Sequence, residues 1–398
     1  MNRGAAIPTS SSNLRMAAFR ALGPIFFYFF VAGIATVMLG PLLPALTARW
    51  HIQDEQAGAL FTTTFIGQLL GAWFATRNLR ASVLYGSSIT AGGCAVMAWA
   101  SFGVANIALF CVGFGLGAGL TAGNVIVGTA IPAARTRLLA MLNVAWGIGA
   151  ILCSLLVRLC GRGNVHLFFL VLAGFLGLGA VFAMALPKAS LDDATKNLQG
   201  KQEGKRRFPL PLFPLLMFSV AMLLYVGIEN ALGGWLPSYG VRATSALRAS
   251  SIALYFWIAE LTGRMLLAGL THLFGEASLY RGSVGLLILT EGALIFAKHL
   301  SPAGVLALTI LSGLALAPIY PLIVSFFLAR TGNHPRLGQV FAAASVGGAV
   351  LPWLTGLVST QFDGLRAGLV VPAMGAVLLL TLSPTISPKP WDVRHKNC

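Results

Sequence analysis

Apolar residues in this chain fall in long, nearly unbroken blocks separated by short polar segments. Twelve blocks approach the roughly 20 residues that an α-helix needs to cross a bilayer. The first six are residues 22–46, 57–75, 83–101, 104–130, 138–158 and 166–186. The second six are 213–236, 250–270, 280–297, 303–329, 338–360 and 366–383. One longer polar segment, with Lys188, Lys196, Lys201, Lys205, Arg206 and Arg207, divides the chain in two. The pattern predicts an all-α membrane protein of 12 transmembrane helices. Its parts are an N-terminal tail (1–20), a six-helix half (21–186), a linker (187–210), a second six-helix half (211–384) and a C-terminal tail (385–398).

The halves echo one another. Gly40-Pro-Leu-Leu-Pro44 at the end of run one resembles Gly234-Trp-Leu-Pro237 at the end of run seven, with Pro44 and Pro237 193 positions apart. Gly71 precedes Gly263 by 192 positions, and Gly149-Ala150 precedes Gly348-Ala349 by 199. A near-constant offset predicts two pseudo-symmetric units, and such repeats place a solute site near the bilayer midplane, at their interface.

Composition narrows the class. The chain is 57% hydrophobic and only 10% charged, with a mean hydropathy of +0.82. Soluble domains carry about a quarter charged residues. The net charge of +16 would suggest nucleic acid in a soluble protein, but no nucleic-acid-binding module is present and no such partner is expected. The basic residues instead sit between apolar runs. With the N-terminus inside, 19 lie on the cytoplasmic side and 7 on the other, which predicts both termini in the cytoplasm. Compact loops and the absence of a targeting segment suit a bacterial inner (plasma) membrane. Cys94, Cys111, Cys153, Cys160 and Cys398 imply no disulfide framework, and the six histidines form no ligand-spaced pair, so no metal site is expected. The glycine runs 113–123 and 345–349 have no preceding strand and no following Lys. They read as close helix packing rather than phosphate loops.

The residues also resemble a known family. Twelve helices in two halves around a basic central loop are similar to the major facilitator superfamily. YVGIENALGGWL (225–236), AELTGR (259–264), LALAPIYPLIVS (314–325), GQVFAAASVGGAVLPWLTG (338–356) and LNVAWGIGA (142–150) resemble, more narrowly, its fucose permease-like sugar:proton symporters. That resemblance implies the major facilitator fold, a monomer, a small-molecule substrate of sugar type, and a proton as coupling ion with no other cofactor. Two departures stand out. The acidic position of the loop signature after helix two holds Ala75 or Thr76 within GAWFATRNLR (71–80), so the charge latch expected there is missing or relocated. Run one has no acidic residue and run four offers only Thr121 and Asn124, which leaves proton coupling to the C-terminal half.

Three carboxylates lie inside apolar runs, where ionisable side chains are costly and mark function by default. Glu229 has no basic residue within a turn and stands beside Asn230, with Tyr225 and Trp235 flanking as stacking surfaces. It is the candidate proton-coupling group; the plain alternative is a carboxyl that stays protonated and bonds a neighbouring helix. Arg264 follows Glu260 by one turn on the same helical face, which reads either as a local ion pair or as a gate. Glu291 lies in run nine, which the resemblance places at the periphery, and is expected to make a structural hydrogen bond. A sugar calls for neutral donors and acceptors. Gln68, Asn124, Asn143, Trp146 and Tyr320 join Tyr225, Asn230 and Trp235 as candidate substrate-binding residues. Each could equally be a helix–helix hydrogen bond or packing group. Gly227, Gly233, Gly234 and Pro237 are expected to loosen run seven, and Pro318 with Pro321 to break run ten.

The expected function is secondary active transport of a small polar solute, a hexose-type sugar, by proton symport through alternating access. The alternatives are a drug or metabolite exporter and a non-transporting membrane receptor. An intramembrane enzyme is disfavoured, because no nucleophile–base pair or metal-ligand set is found.

Overall fold

The computed structural model describes residues 11–75, 77–131, 134–160, 164–186, 212–297, 299–331, 337–362 and 364–387. The predicted linker, residues 187–210, lies outside the described residues, as do most of the predicted C-terminal tail and residues 1–10 of the N-terminal one. The first half comprises α1 (Ser11–Val37), α2 (Leu39–Trp50), α3 (Asp54–Ala75), α4 (Leu79–Met97), α5 (Phe102–Ala130), α6 (Arg135–Leu159) and α7 (Val165–Met184). The second comprises α8 (Leu212–Ala243), α9 (Ala249–Phe274), α10 (Glu276–Phe296), α11 (Pro302–Leu316), α12 (Ile319–Thr331), α13 (Leu337–Gln361), α14 (Leu365–Gly368) and α15 (Val370–Ile386). No strand occurs among the described residues.

Nine helical stretches among the described residues are long and apolar enough to cross a bilayer, and α1 with α2 makes a tenth. The other two predicted spans, α4 and α9, are less apolar. α4 carries Ser82, Ser87, Ser88 and Thr90, and α9 carries Glu260 and Arg264. Both nevertheless pack within the bundle, α4 against α5 and α7, α9 against α6 and α11.

Three details differ from the hydrophobic pattern. Run one is two helices bent by 43° at Met38. Residues 11–20, assigned to a tail, already belong to α1. Run seven was expected to loosen, yet α8 continues through Pro237 to Ala243. Proline removes only the hydrogen bond to the residue four before it, and buried neighbours hold the rest of the helix together. Run ten does break, between Leu316 and Ile319, at Ala317-Pro318.

Glycine sets how closely these helices approach, and the internal repeat recurs in the contacts. A methyl group added at Gly149 would strike the Phe30 carbonyl, and one at Gly347 would strike the Leu223 carbonyl. The helix pairs α1–α6 and α8–α13 are thereby joined in the same way, although through Gly347 rather than Gly348, the glycine the sequence pairs with Gly149, which instead meets Phe65 of the first half. Gly71 lies against the Phe114 carbonyl and its repeat partner Gly263 against Ala317. Along α5, Gly113 and Gly117 meet α3, Gly115 meets α4, and Gly119 and Gly123 meet α1. The glycine run is thus the seam of the first half, where lipid supplies no hydrophobic drive and close backbone packing must hold helices together.

The halves meet at one end of the bundle, the end of Trp50 and Asp54. There Arg242 at the end of α8 donates from Nη1 to Asp54 Oδ2 (2.7 Å) and from Nη2 to Asp54 Oδ1 (2.6 Å). Ser359 Oγ on α13 donates to Asp54 Oδ2 at 2.6 Å. The Glu55 N–H donates to Thr360 Oγ1 (2.9 Å), and Thr62 Oγ1 to the Ala349 carbonyl (2.7 Å). Gly58 abuts Trp353, and Gly356 abuts the Asp54 backbone. A charge latch therefore exists on α3, at the opposite end of the helix from GAWFATRNLR.

Deeper in the bundle, Gly40 lies against the backbone of Gly233, 193 positions on, across the halves. Each has a proline four residues on, Pro44 and Pro237, so each has lost the helical N–H to its carbonyl. The Gly233 carbonyl is the atom a side chain at Gly40 would strike.

Two outcomes follow. Gly149→Ala should lower stability by about 1–3 kcal/mol through overpacking, whereas Gly92→Ala, with open space around it, should leave the melting temperature of the detergent-purified protein unchanged. Asp54→Asn should favour opening of the latched end. Because Arg242 is 47% exposed, the latch is worth only about 1 kcal/mol. Thiol labelling of Thr62→Cys in a cysteine-free background should accelerate about fivefold, and Asp54→Arg with Arg242→Asp should restore the slow rate.

Candidate functional site

Near the middle of the bundle, α8 and α9 bring together residues that the sequence places in separate spans. Arg264 Nη2 donates to Glu229 Oε1 at 2.6 Å and, one turn along its own helix, to Glu260 Oε1. Tyr225 Oη donates to the same Glu229 Oε1 at 2.7 Å and lies 3.2 Å from Arg264 Nη2. The Tyr320 ring lies 5.6 Å from that of Tyr225. Residues 225, 229, 260 and 264 meet because of i,i+4 spacing on two packed helices.

Glu229 is therefore not isolated, as its own helix suggests, but shares one guanidinium with Glu260. Two carboxylates against one arginine leave one negative charge uncompensated unless a proton or a bound cation supplies the balance. The side chain of Glu260 is 2% exposed, that of Glu229 12% and that of Arg264 24%. The cluster thus runs from a sealed carboxylate to a partly accessible guanidinium. Glu260 Oε2 and Arg264 Nε are buried without a hydrogen-bond partner. Such a group can take up or release a single proton, and it can exchange Arg264 between two acceptors.

The other candidates divide. Asn230 is half-buried and its amide donates to the Val226 carbonyl at 2.8 Å. Asn124 and Asn143, both exposed, donate in the same manner to Leu120 and Leu139 (3.0 Å each). Gln68 is half-buried on α3, its backbone against Gly117. No hydrogen bond among the described residues joins Gln68, Asn124 or Asn143 to the charged cluster. Trp146 meets Trp257 across the halves, rings nearly perpendicular at 5.9 Å. Trp235 is fully buried, donates from Nε1 to the Pro352 carbonyl (2.9 Å) and packs on Phe61. It offers no open stacking face in this structure, and its place is in the closure between halves.

Glu291 departs from expectation. It is fully buried, but neither carboxylate oxygen has a hydrogen-bond partner, while neighbouring Thr290 bonds Leu287 and Ser312. Asp54, Arg242 and Ser359 were not singled out by sequence reasoning, because each lies at a helix end where charged and polar residues are ordinary. Trp257 was also missed, although it stands three residues before Glu260, on the same face of α9. Among the described residues no group of three or more His, Cys, Asp or Glu could hold a metal ion.

Comparison with known proteins agrees with this architecture. The chain is 25% identical over 409 residues to Bypass of stop codon protein 6 of Saccharomyces cerevisiae (strain ATCC 204508 / S288c), covering 91% of this chain and 81% of that protein. Its fold is similar to that of the nucleoside transporter NupG, with a TM-score of 0.68, 14% identity, and 93% and 98% of the two chains covered. It is also similar to a bacterial homologue of the human lysosomal transporter Spinster (TM-score 0.72, 14% identity, 94% and 99% covered). The third is FucP in an outward conformation (TM-score 0.63, 17% identity, 94% and 100% covered). Residues 25–344 match the Major Facilitator Superfamily, and with two six-helix halves around a buried polar centre the chain belongs to that family of membrane transporters.

Proposed function

We propose that the protein is a secondary active transporter that moves a small, neutral, hydroxyl-rich solute, of the hexose class, together with a proton. The observation that carries this reading is the shared guanidinium, two buried carboxylates on one Arg264 at mid-bundle. The cluster is charge-balanced when it holds one proton, and that count is what a one-proton symporter needs. All of the buried charge at the centre comes from the second half, on α8 and α9. The repeat counterpart of Glu260 in the first half is the neutral Gln68, at the 192-residue offset that relates Gly71 to Gly263. Charge for coupling on one side and neutral amides for hydroxyls on the other suit a sugar. A nucleoside transporter among the structural neighbours handles a solute that itself contains a sugar.

In the working cycle the halves rock about the central site. The excess of basic residues on one side argues for both termini in the cytoplasm of a plasma (inner) membrane. The Asp54–Arg242 latch then closes the outer side. A proton entering from outside neutralises Glu229 and loosens its hold on Arg264, which turns fully to Glu260. Solute and proton then leave together, and the proton-free carrier resets as Arg264 bridges both carboxylates. The family works as a carrier with no resident cofactor on this reading, and a single chain contains both halves of the site.

The test is uptake into proteoliposomes under an imposed proton gradient. Glu229→Gln should abolish gradient-driven accumulation and leave solute counterflow within about threefold of wild type. Normal accumulation by this variant would remove Glu229 from coupling. Arg264→Ala leaves two carboxylates with no cation and should stop both accumulation and counterflow. Removing one partner of a buried ion pair costs about 3–5 kcal/mol, so a lowered melting temperature should accompany it.

A further inference from the structure

Trp257 is 6% exposed, and its indole Nε1 has no hydrogen-bond acceptor. Leaving a buried donor unpaired costs about 1–3 kcal/mol, and other buried aromatics in this bundle avoid that cost. Trp235 Nε1 reaches the Pro352 carbonyl, Tyr239 the Leu294 carbonyl and Tyr28 the Gly115 carbonyl. Trp257 is thus an exception among the buried aromatic donors, and it lies where the halves meet. It lines a small cavity of about 10 Å³ together with Thr36, Gly40, Phe61, Asn230 and Gly233. That is space for about one water-sized group.

The polar residues that line the cavity come from both halves. Thr36 stands at the α1–α2 bend and already donates its hydroxyl hydrogen to Ala32 (2.7 Å), so its oxygen is left to accept. Asn230 commits one amide N–H to Val226 and keeps its carbonyl oxygen as an acceptor. The Trp257 N–H donates. A hydroxyl group is both donor and acceptor and matches this set, whereas a carboxylate or an ammonium does not. The cavity is roofed on the Asp54 side by the Gly40–Gly233 contact, which bulkier residues would block. Asn230 and Trp257 stand one and three residues from Glu229 and Glu260 in the chain, so the cavity is tied to the charged cluster through the backbones of α8 and α9, although neither carboxylate lines it.

The geometry points to Trp257 as a solute-binding residue whose N–H donates to one hydroxyl oxygen of the transported solute, in a subsite completed by Thr36 and Asn230. This rests on the proposed transport of a hydroxyl-bearing solute and assigns where one hydroxyl is read. Because Trp257 also meets Trp146 edge-on across the halves, the bound hydroxyl sits at the joint that must part when the carrier reorients. A site built to hydrogen-bond a hydroxyl rejects an analogue that lacks it, since the buried donor is then left unpaired.

The experiment uses the full chain in proteoliposomes with glucose, galactose, fucose and uridine, and then with single-deoxy analogues of whichever is taken up. Trp257→Phe keeps an aromatic ring and removes the N–H. The expected result is a KM about tenfold higher with the maximal rate within twofold, and loss of the penalty that wild type shows for one particular deoxy analogue. Thr36→Val should weaken the same analogue preference, and it serves in place of Trp257→Phe if that variant fails to fold. An unchanged KM, or an equal deoxy penalty in wild type and variant, overturns the assignment and leaves the cavity as a water site. Uptake of none of the four solutes overturns both this and the proposed substrate class. Uptake without proton dependence overturns only the coupling reading, and Trp257 is then judged on KM alone.

Discussion

The partly buried guanidinium of Arg264 is the interaction that organises the centre of this protein. A lone arginine at that depth would cost several kcal/mol to desolvate, so its partners are obligatory. Two carboxylates and a tyrosine hydroxyl converge on it. Their convergence fixes the rotation of α8 and α9 about their own axes, and that rotation turns Asn230 and Trp257 toward the first half. The polar centre thus orients the helices that carry it. In lipid no hydrophobic gradient between helices would do so.

Around that centre the structure is held by close backbone contacts. Within each half a glycine closes one helix on another in the same way, Gly149 beside Phe30 and Gly347 beside Leu223. Between the halves, close backbone contacts such as Gly40 on Gly233 are joined by the ring pairs Phe61–Trp235 and Trp146–Trp257 and by the Asp54–Arg242 ion pair.

The asymmetry between the halves has a physical logic. A duplicated unit would place equivalent groups on both sides of the midplane, yet buried charge is expensive and needs its counter-charge nearby. Concentrating Glu229, Glu260 and Arg264 on two adjacent helices limits that cost. The other half is left to neutral groups such as Gln68 and Thr36.

The all-helical, membrane-spanning class, the packing role of the glycines and the break at Pro318 were legible in the sequence. They depend on local properties: apolar length, small side chains and a missing N–H. The i,i+4 pairing of Glu260 with Arg264 was legible for the same reason. What the sequence could not disclose is which helices face each other and with what rotation. Glu229 looked solitary because its cation lies on the next helix, and Trp235 looked like a binding surface because its burial against Phe61 and Pro352 comes from the opposite half and from α13. The latch of Asp54 to Arg242 and Ser359, and the unpaired indole of Trp257, arise only when segments distant in sequence are brought within hydrogen-bond range. Tertiary packing decides this, because the energy of a buried charge or donor depends on its neighbours in space and not on its position in the chain.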